Sequence, residues 1–482
     1  MSHPRAAVVG LGVSGRGAAR LLHERGYSVT VFDQVTTQLP DDLNPLHFDL
    51  RSYPDATRLA EQIIALAPAL VVLSPGVPES SPISQLTRQS GLDVIGEVEL
   101  AFRIGTAQSD PARWLAVTGT NGKTTTVGMV GAILARAGLD AIETGNIGYP
   151  VTRAVTEGHE VLVAELSSFQ LATTATLAPW ASICLNVDSD HLDWHGSIEA
   201  YRSAKSRVYD RVQRARLVFA DDPVVAEMAC HATDSEGSVV VPLTFGVVGS
   251  GEIGIVDGIL IDLAFLDAKS EEPEVADLSQ VPLLRAALTN RDGASSPLVR
   301  DALAAAGLAR SVGVTGADII AGLRDFQMAP HRFALVPTED GRTWINDSKA
   351  TNVHAASAAL ENVLPGTTAW ILGGDTKGQD LSGLIATAAD RVKAVVVIGS
   401  EQQEILRILA EQAPDLPVTA VPGDGEPGKW MKEVVRACLE MTEPGDNVLL
   451  APACASWDQF ASYSQRGDAY VSAVKEVVGG EG

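Results

Sequence analysis

Twice in this chain an apolar run breaks into a glycine-rich turn and continues as a helix-like stretch, and this pattern constrains the fold more than any other feature. The first instance is "AAVVGLGVSGRGAARLLHERGYSVTVFD", residues 6–33, and the second is "WLAVTGTNGKTTTVGMVGAILARAG", residues 114–138. A strand that runs through a tight turn into a helix is the opening of a β–α–β unit, whose crossover leaves neighbouring strands parallel. The expectation is an α/β fold of parallel sheets covered by helices.

The two turns suggest different chemistry. In the first, Gly10, Gly12 and Gly15 precede Asp33, which closes the next apolar run. That spacing is the dinucleotide fingerprint, in which the glycines admit a pyrophosphate and the acid meets a ribose hydroxyl. A tight turn of this kind also suits another phosphate, or simply packs helix on sheet. In the second, Gly119 and Gly122 let backbone N–H groups turn inward on phosphate oxygens. Lys123 brings a cation to the β/γ-phosphates, and the Thr124 hydroxyl suits Mg²⁺. Val117 stands where the general G-x-x-x-x-G-K-[ST] loop has its first glycine, so this loop is a variant. An ATP loop in the same chain shifts the first motif from a redox cofactor towards a nucleotide-linked substrate. An NAD-dependent oxidoreductase leaves the second loop without a purpose.

A chain of 482 residues has room for about three domains. Strand and helix alternate to residue 108, with "AAVVG", "YSVTVFD", "LVVLSPG" and "DVIGE" as strands, and "GTAQSDPAR" reads as a linker. A second stretch, 109–328, adds strands "VLVAELS", "ASICLNV" and "RLVFA"; its residues 232–297 read as a peripheral elaboration. A third, 329–482, alternates "AWILGG", "AVVVIG", "PVTAV" and "NVLLAP" with helices. Acidic residues outnumber basic ones by 60 to 36, which argues against a nucleic-acid binder. No apolar run approaches the roughly 18 residues of a membrane span, and the N-terminus has no leader-like h-region. Cys184, Cys230, Cys438 and Cys454 are scattered, as expected of reduced thiols in the cytoplasm.

Nine strings occur in order: "GTNGKTTT", "GNIG" (145–148), "ELSSFQL" (165–171), "NVDSDHLDWHG" (186–196), "YRSAKSRVYD" (201–210), "PHRFALV" (330–336), "NDSKATN" (346–352), "GGDTKG" (373–378) and "APACASWDQFASYSQRG" (451–467). Carrying them, the chain closely resembles the Mur ligase family. The resemblance implies a Rossmann-like N-terminal domain for a UDP-linked precursor, a central P-loop ATPase-type parallel-sheet domain, and a Rossmann-like C-terminal domain. "ELSSFQL" and "NDSKATN" point within the family to a member whose substrates are UDP-N-acetylmuramoyl-L-alanine and D-glutamate. A cytoplasmic monomer using ATP and two Mg²⁺ ions is implied. The D-N-P-R string of the diamino-acid-adding relative is absent.

Residue by residue, the resemblance assigns Gly119, Thr120, Asn121, Gly122, Lys123, Thr124 and Thr125, with Arg332 and Asp347, to ATP. It assigns Gly12, Val13, Ser14, Asp33, Gly76 and Asn146 to the UDP precursor, and Lys349, Thr351, Lys377, Ser456 and Tyr463 to D-glutamate. Cations and hydroxyls of that kind suit two carboxylates. Metal ligation falls to Thr124, Glu165, His191 and Lys205, the last as a CO₂-derived carbamate; Lys123, Glu165, His191 and Lys205 form the catalytic set. Asp190 and His195 read as loop hydrogen-bonders. Two departures stand out. The family's G-x-H-N-x-x-N stretch is replaced by "GASSPLVRDALAAAGLA", where Asp301 or Arg300 would substitute, and Tyr463 sits where phenylalanine is commoner.

Overall fold

The computed structural model describes residues 3–479 apart from 44–45, 47, 189–191, 234–235, 267–272, 290–295, 329 and 424–426. It forms two compact bodies. One comprises residues 1–277 with 301–323, the other 278–300 with 324–482.

The first body holds two sheets. Strands β1 (Arg5–Val9), β2 (Ser28–Asp33), β3 (Asp49–Ser52), β4 (Leu70–Leu73) and β5 (Val94–Gly96) lie in the order β3-β2-β1-β4-β5, all parallel. Both faces are covered, and the alternation along β1 shows it. Ala6 and Val8 pack with Ala18, Leu22 and Phe102, whereas Ala7 and Val9 pack with Leu59 and Ile63. A strand buried on both faces is continuously apolar, which is why these segments are legible as runs.

The second sheet has nine strands. They are β6 (Arg113–Thr118), β7 (Ala141–Gly145), β8 (Val161–Glu165), β9 (Ala181–Cys184), β10 (Ala215–Phe219), β11 (Val239–Phe245), β12 (Ile253–Val256), β13 (Ile259–Asp262) and β14 (Glu274–Asp277). Their order is β14-β13-β12-β11-β10-β9-β6-β8-β7, parallel from β7 through β12 and antiparallel beyond. The stretch expected to be a peripheral elaboration therefore contributes two strands of the parallel run, β11 and β12, and only then the antiparallel strands β13 and β14. The segment expected to be a linker begins inside a helix, Glu97–Thr106, which follows β5 directly. Its Val98, Ala101 and Phe102 join a core shared with Trp114, Val151 and Leu162 of the second sheet's surroundings.

The second body carries β15 (Ala334–Val336), β16 (Thr343–Asn346), β17 (Thr368–Gly373), β18 (Ala394–Ile398), β19 (Val418–Ala420) and β20 (Asn447–Leu450) in the order β15-β16-β20-β17-β18-β19. Only β15 is antiparallel. Trp370 and Leu372 face one core and Ala369 and Ile371 the other. All three sheets thus present the carboxyl ends of parallel strands, where open α/β sheets bind ligands.

Candidate active site

The second glycine loop follows β6 and enters the helix Lys123–Arg136. Gly119 and Gly122 have φ of +154° and +84°, and a Cβ at Gly122 would stand 2.4 Å from Asp301 Oδ1. Only glycine fits there. The loop is fastened by Asn186, whose Oδ1 accepts from the backbone N–H groups of Thr120 (3.0 Å) and Asn121 (2.9 Å). Lys123 Nζ lies within the loop, donating to the carbonyls of Gly119 (2.8 Å) and Thr120 (2.9 Å). Thr125 is half-buried in the first helical turn.

Glu165 ends β8, 2% exposed, and joins two expected site residues. Its Oε2 accepts from Thr124 Oγ1 at 3.0 Å and its Oε1 from Asn146 Nδ2 at 3.0 Å. The strand is all apolar up to this carboxylate, so the fold delivers one acid to the edge of the phosphate loop. A hydroxyl and a carboxylate converging there form a hard-oxygen pair of the kind Mg²⁺ takes.

Lys205 departs most from its local pattern. A lysine in the helix Ile198–Ser206 would ordinarily face water, yet it is 2% exposed. Its Nζ donates to Gly119 O at 2.8 Å and stands 4.7 Å from the Tyr201 ring centroid. The Tyr201 hydroxyl lies 3.0 Å from Thr120 Oγ1. Both lysines therefore meet the phosphate loop at Gly119. His195 is a hydrogen-bonder, as expected, with Nε2 2.9 Å from Ser168 Oγ. His191 and Asp190 lie outside the described residues.

Of the two substitutes for the missing family motif, Asp301 does reach the loop: buried, it accepts from Thr126 Oγ1 at 3.2 Å. Arg300 belongs to the other body and is half-buried.

The first glycine loop gathers at the carboxyl edge of its own sheet, between β1 and β4. Gly10 has φ +91°, and a Cβ on Gly15 would come within 1.9 Å of Gly10 O. Gly12, Val13 and Gly76 are exposed there. Asp33 is engaged by the protein itself: Oδ2 accepts from Leu11 N (2.9 Å), Oδ1 from Val35 N (2.9 Å) and Thr36 N (2.7 Å). Burial works to raise its pKa, but these backbone donors outweigh it and hold the carboxyl below its ordinary value. Ser14 turns to Glu97, whose burial raises the carboxyl pKa against that hydrogen bond.

In the second body the expected residues leave the ends of the adjacent strands β16, β20 and β17. Asp347 follows β16; its Oδ1 accepts from Phe333 N at 3.1 Å, and burial raises its pKa to about 7 despite Arg332 and Lys349 nearby. Lys349 Nζ lies 5.7 Å from the ring centroid of Tyr463, and Thr351 is half-buried. Lys377, at φ +52°, is exposed, and Ser456 is buried at 2%. Sequence reasoning missed the group that ties these loops together. Arg466, 1% exposed, donates to Ser348 O (2.9 Å), Cys454 O (3.1 Å) and Ala455 O (3.3 Å), and burial lowers its pKa to about 10. Asn186 and Tyr201 were missed likewise. Each sits inside a quoted motif, but its partner lies tens of residues away in sequence.

A phosphate loop beside a buried carboxylate, on one of three parallel sheets whose carboxyl edges carry polar clusters, defines a nucleotide-using α/β enzyme. Family models match along the chain: "Mur ligase MurD-like, N-terminal domain" at residues 4–96, "Mur ligase middle domain" at 117–246, and "Mur ligase, glutamate ligase domain" at 331–454. The UDP-N-acetylmuramoylalanine–D-glutamate ligase of Thermobifida fusca is 41% identical, with 98% of this chain and 99% of the relative covered. That of Streptomyces coelicolor is 40% identical, with 98% and 97% covered. Among solved structures, MurF ligase from Thermotoga maritima with ADP matches at TM-score 0.53, 15% identity, and 99% and 95% coverage. UDP-N-acetylmuramate-alanine ligase MurC from the same organism matches at 0.51, 18% identity, and 97% and 98% coverage. The chain belongs to the Mur ligase family.

Proposed function

We propose that this chain joins D-glutamate to UDP-N-acetylmuramoyl-L-alanine at the expense of ATP, as its relatives' names describe, in peptidoglycan precursor synthesis. ATP phosphorylates the alanyl carboxylate to an acyl phosphate. The D-glutamate amine attacks the acyl carbon, a tetrahedral intermediate forms, and phosphate leaves as the amide appears.

The observation that carries this reading is the convergence of Lys123, Lys205 and the Thr124–Glu165 pair on the loop at Gly119–Gly122. Phosphoryl transfer depends chiefly on positioning and on stabilising the charge of the transferred group. The N–H groups opening the helix at Lys123 and the Lys123 ammonium provide that, and Asn186 fixes the loop through Thr120 and Asn121 so that little reorganisation is needed. Two Mg²⁺ ions, when bound, would neutralise phosphoryl oxygens; Thr124 and Glu165 suit one, His191 and a carbamate on Lys205 the other. Gly12, Val13, Ser14, Gly76 and Asn146 are assigned to the UDP precursor, with Asp33 acting through the loop that it holds. Arg332 and Asp347 are assigned to the nucleotide; Lys349, Thr351, Lys377, Ser456 and Tyr463 to D-glutamate. The domains are read as 1–108, 109–328 and 329–482. A monomer in the cytoplasm is the form proposed; among the described residues no helix is long and apolar enough to cross a membrane.

Phosphate release from ATP, with UDP-N-acetylmuramoyl-L-alanine present and the amino acid varied, tests the reading. D-Glutamate should support turnover, and L-glutamate and L-lysine should fall short by up to about 10⁴-fold, as sites built to pair polar groups can achieve. Comparable turnover with either L-amino acid would assign a sister activity instead.

A further inference from the structure

Trp457 is the most exposed tryptophan among the described large hydrophobic residues, at 70%. It stands between buried Ser456 and half-buried Asp458 in the loop that follows β20. Above its ring, 4.5 Å from the centroid, lies Nζ of Lys377. The two residues belong to different loops, and those loops are bridged: Asp375 N donates to Ala455 O (3.0 Å) and Ala455 N to Asp375 O (2.8 Å). The backbone beneath Lys377 is fixed as well. Its N–H donates to Asp375 Oδ1 (2.9 Å), Gly378 N to Thr376 Oγ1 (3.2 Å), and Thr376 N to Glu401 Oε2 (2.8 Å). The backbone is thus held while the four-carbon side chain projects into water, and the indole is the surface that the ammonium rests on.

We propose that Trp457 is a positioning residue for Lys377: its indole face holds the ammonium in place to receive a substrate carboxylate. A tryptophan face is the strongest of the aromatic partners for an ammonium. A free lysine gives up considerable rotamer freedom when it pairs with a ligand, so confining it beforehand reduces the cost of binding. Exposure of so large an apolar ring is otherwise without a packing reason, since its face is used by a cation rather than by the core. The proposal rests on assigning Lys377 to D-glutamate.

The test is steady-state kinetics of the full chain as wild type, W457F and W457L, with each of the three substrates varied in turn. KM for D-glutamate should rise in the order Trp, Phe, Leu, by roughly 2- to 5-fold for leucine. The KM for ATP and that for the UDP precursor should stay put, and the loss should fall on KM rather than kcat. Difference emission between wild type and W457F should change on addition of D-glutamate, because the ammonium over the ring is then paired. Wild-type KM for D-glutamate in W457L, or an equal loss for all three substrates, overturns the positioning role while leaving the ligase reading intact. Absence of D-glutamate-dependent turnover in the wild type overturns that reading, and this assignment with it.

Discussion

At position 205 a side chain that a helical surface would leave in water is buried against the phosphate loop. Removing it in Lys205→Ala takes away one of two donors to the Gly119 carbonyl and leaves Lys123 in place, a cost of about 1 kcal/mol, which a chain of this size survives. Activity should nevertheless be nearly abolished at saturating ATP and Mg²⁺ if the lysine carries a carbamate that serves as a metal ligand. Formate or acetate, entering the vacated space, should restore part of the turnover, and bicarbonate none, since the amine that CO₂ modifies is gone. Full activity in the variant would remove Lys205 from the mechanism. Asp347 makes a second residue-scale prediction. Its pKa is raised to about 7 by burial, against about 3.9 in the unfolded chain. Between those values the folded state keeps a proton that the unfolded state has lost, so stability of the C-terminal body falls as pH rises, by at most about 1.4 kcal/mol per unit. Above that window the dependence ends. Asp347→Asn should flatten the fall between pH 5 and 7 in calorimetric melting; an unchanged slope would place the titration elsewhere.

Among the elements, the helix Glu97–Thr106 carries a buried acid that clamps the backbone at residues 175–177. Glu99, 0% exposed, accepts from Ala175 N (2.8 Å), Thr176 N (2.9 Å), Leu177 N (3.3 Å) and Thr176 Oγ1 (2.7 Å), and pairs with Arg103 at 2.8 Å. Burial would raise its pKa, but these donors outweigh burial and lower it. This stabilisation is present above the ordinary carboxylate range and is lost as pH falls through the lowered folded value. Glu99→Gln turns an amide N–H₂ towards backbone N–H groups and should cost about 3 kcal/mol, seen as a lower denaturant midpoint; a neutral result would mean that the clamp is dispensable. Sequence reading missed this helix because "DVIGE" ends as an apolar strand and "EVELAFRIGT" is only ten residues long. Long apolar strands such as "AAVVG" and "VLVAELS" were legible because both their faces are buried. Strands β12 to β14 are short and lie at one end of the sheet, and of them only β13, within "GILIDLAF", reads as a β-like piece; β11, inside the sheet, was missed. The site divides in the same way. The glycine loops announce themselves locally, whereas Asn186, Tyr201 and Arg466 act through hydrogen bonds to residues far away in sequence.

On the scale of the whole molecule, one parallel and two largely parallel sheets each expose a carboxyl edge, and the nature of each edge depends on what its strand-end side chains already hold. At the second sheet the Glu165 carboxylate accepts, among the described residues, from a hydroxyl and a side-chain amide, both of which a ligand can replace. At the first sheet Asp33 is largely engaged: three backbone N–H groups of residues 11, 35 and 36 take most of the acceptor sites on its two oxygens. In a dinucleotide site the equivalent acid accepts from the ribose hydroxyls. Here a ribose hydroxyl would have to share Oδ2 with the Leu11 N–H that holds the glycine loop in shape. The expected ligand of this turn is a nucleotide-linked precursor and not a dinucleotide. Titration calorimetry should show no measurable NADH binding, while UDP-N-acetylmuramoyl-L-alanine binds with a stoichiometry of about one, as a single such turn implies. Asp33→Asn, which exchanges one acceptor for a donor facing Leu11 or Val35 and Thr36, should weaken precursor binding by loosening the loop and should confer no affinity for NADH. Tight NADH binding by the wild type would return the first domain to redox chemistry.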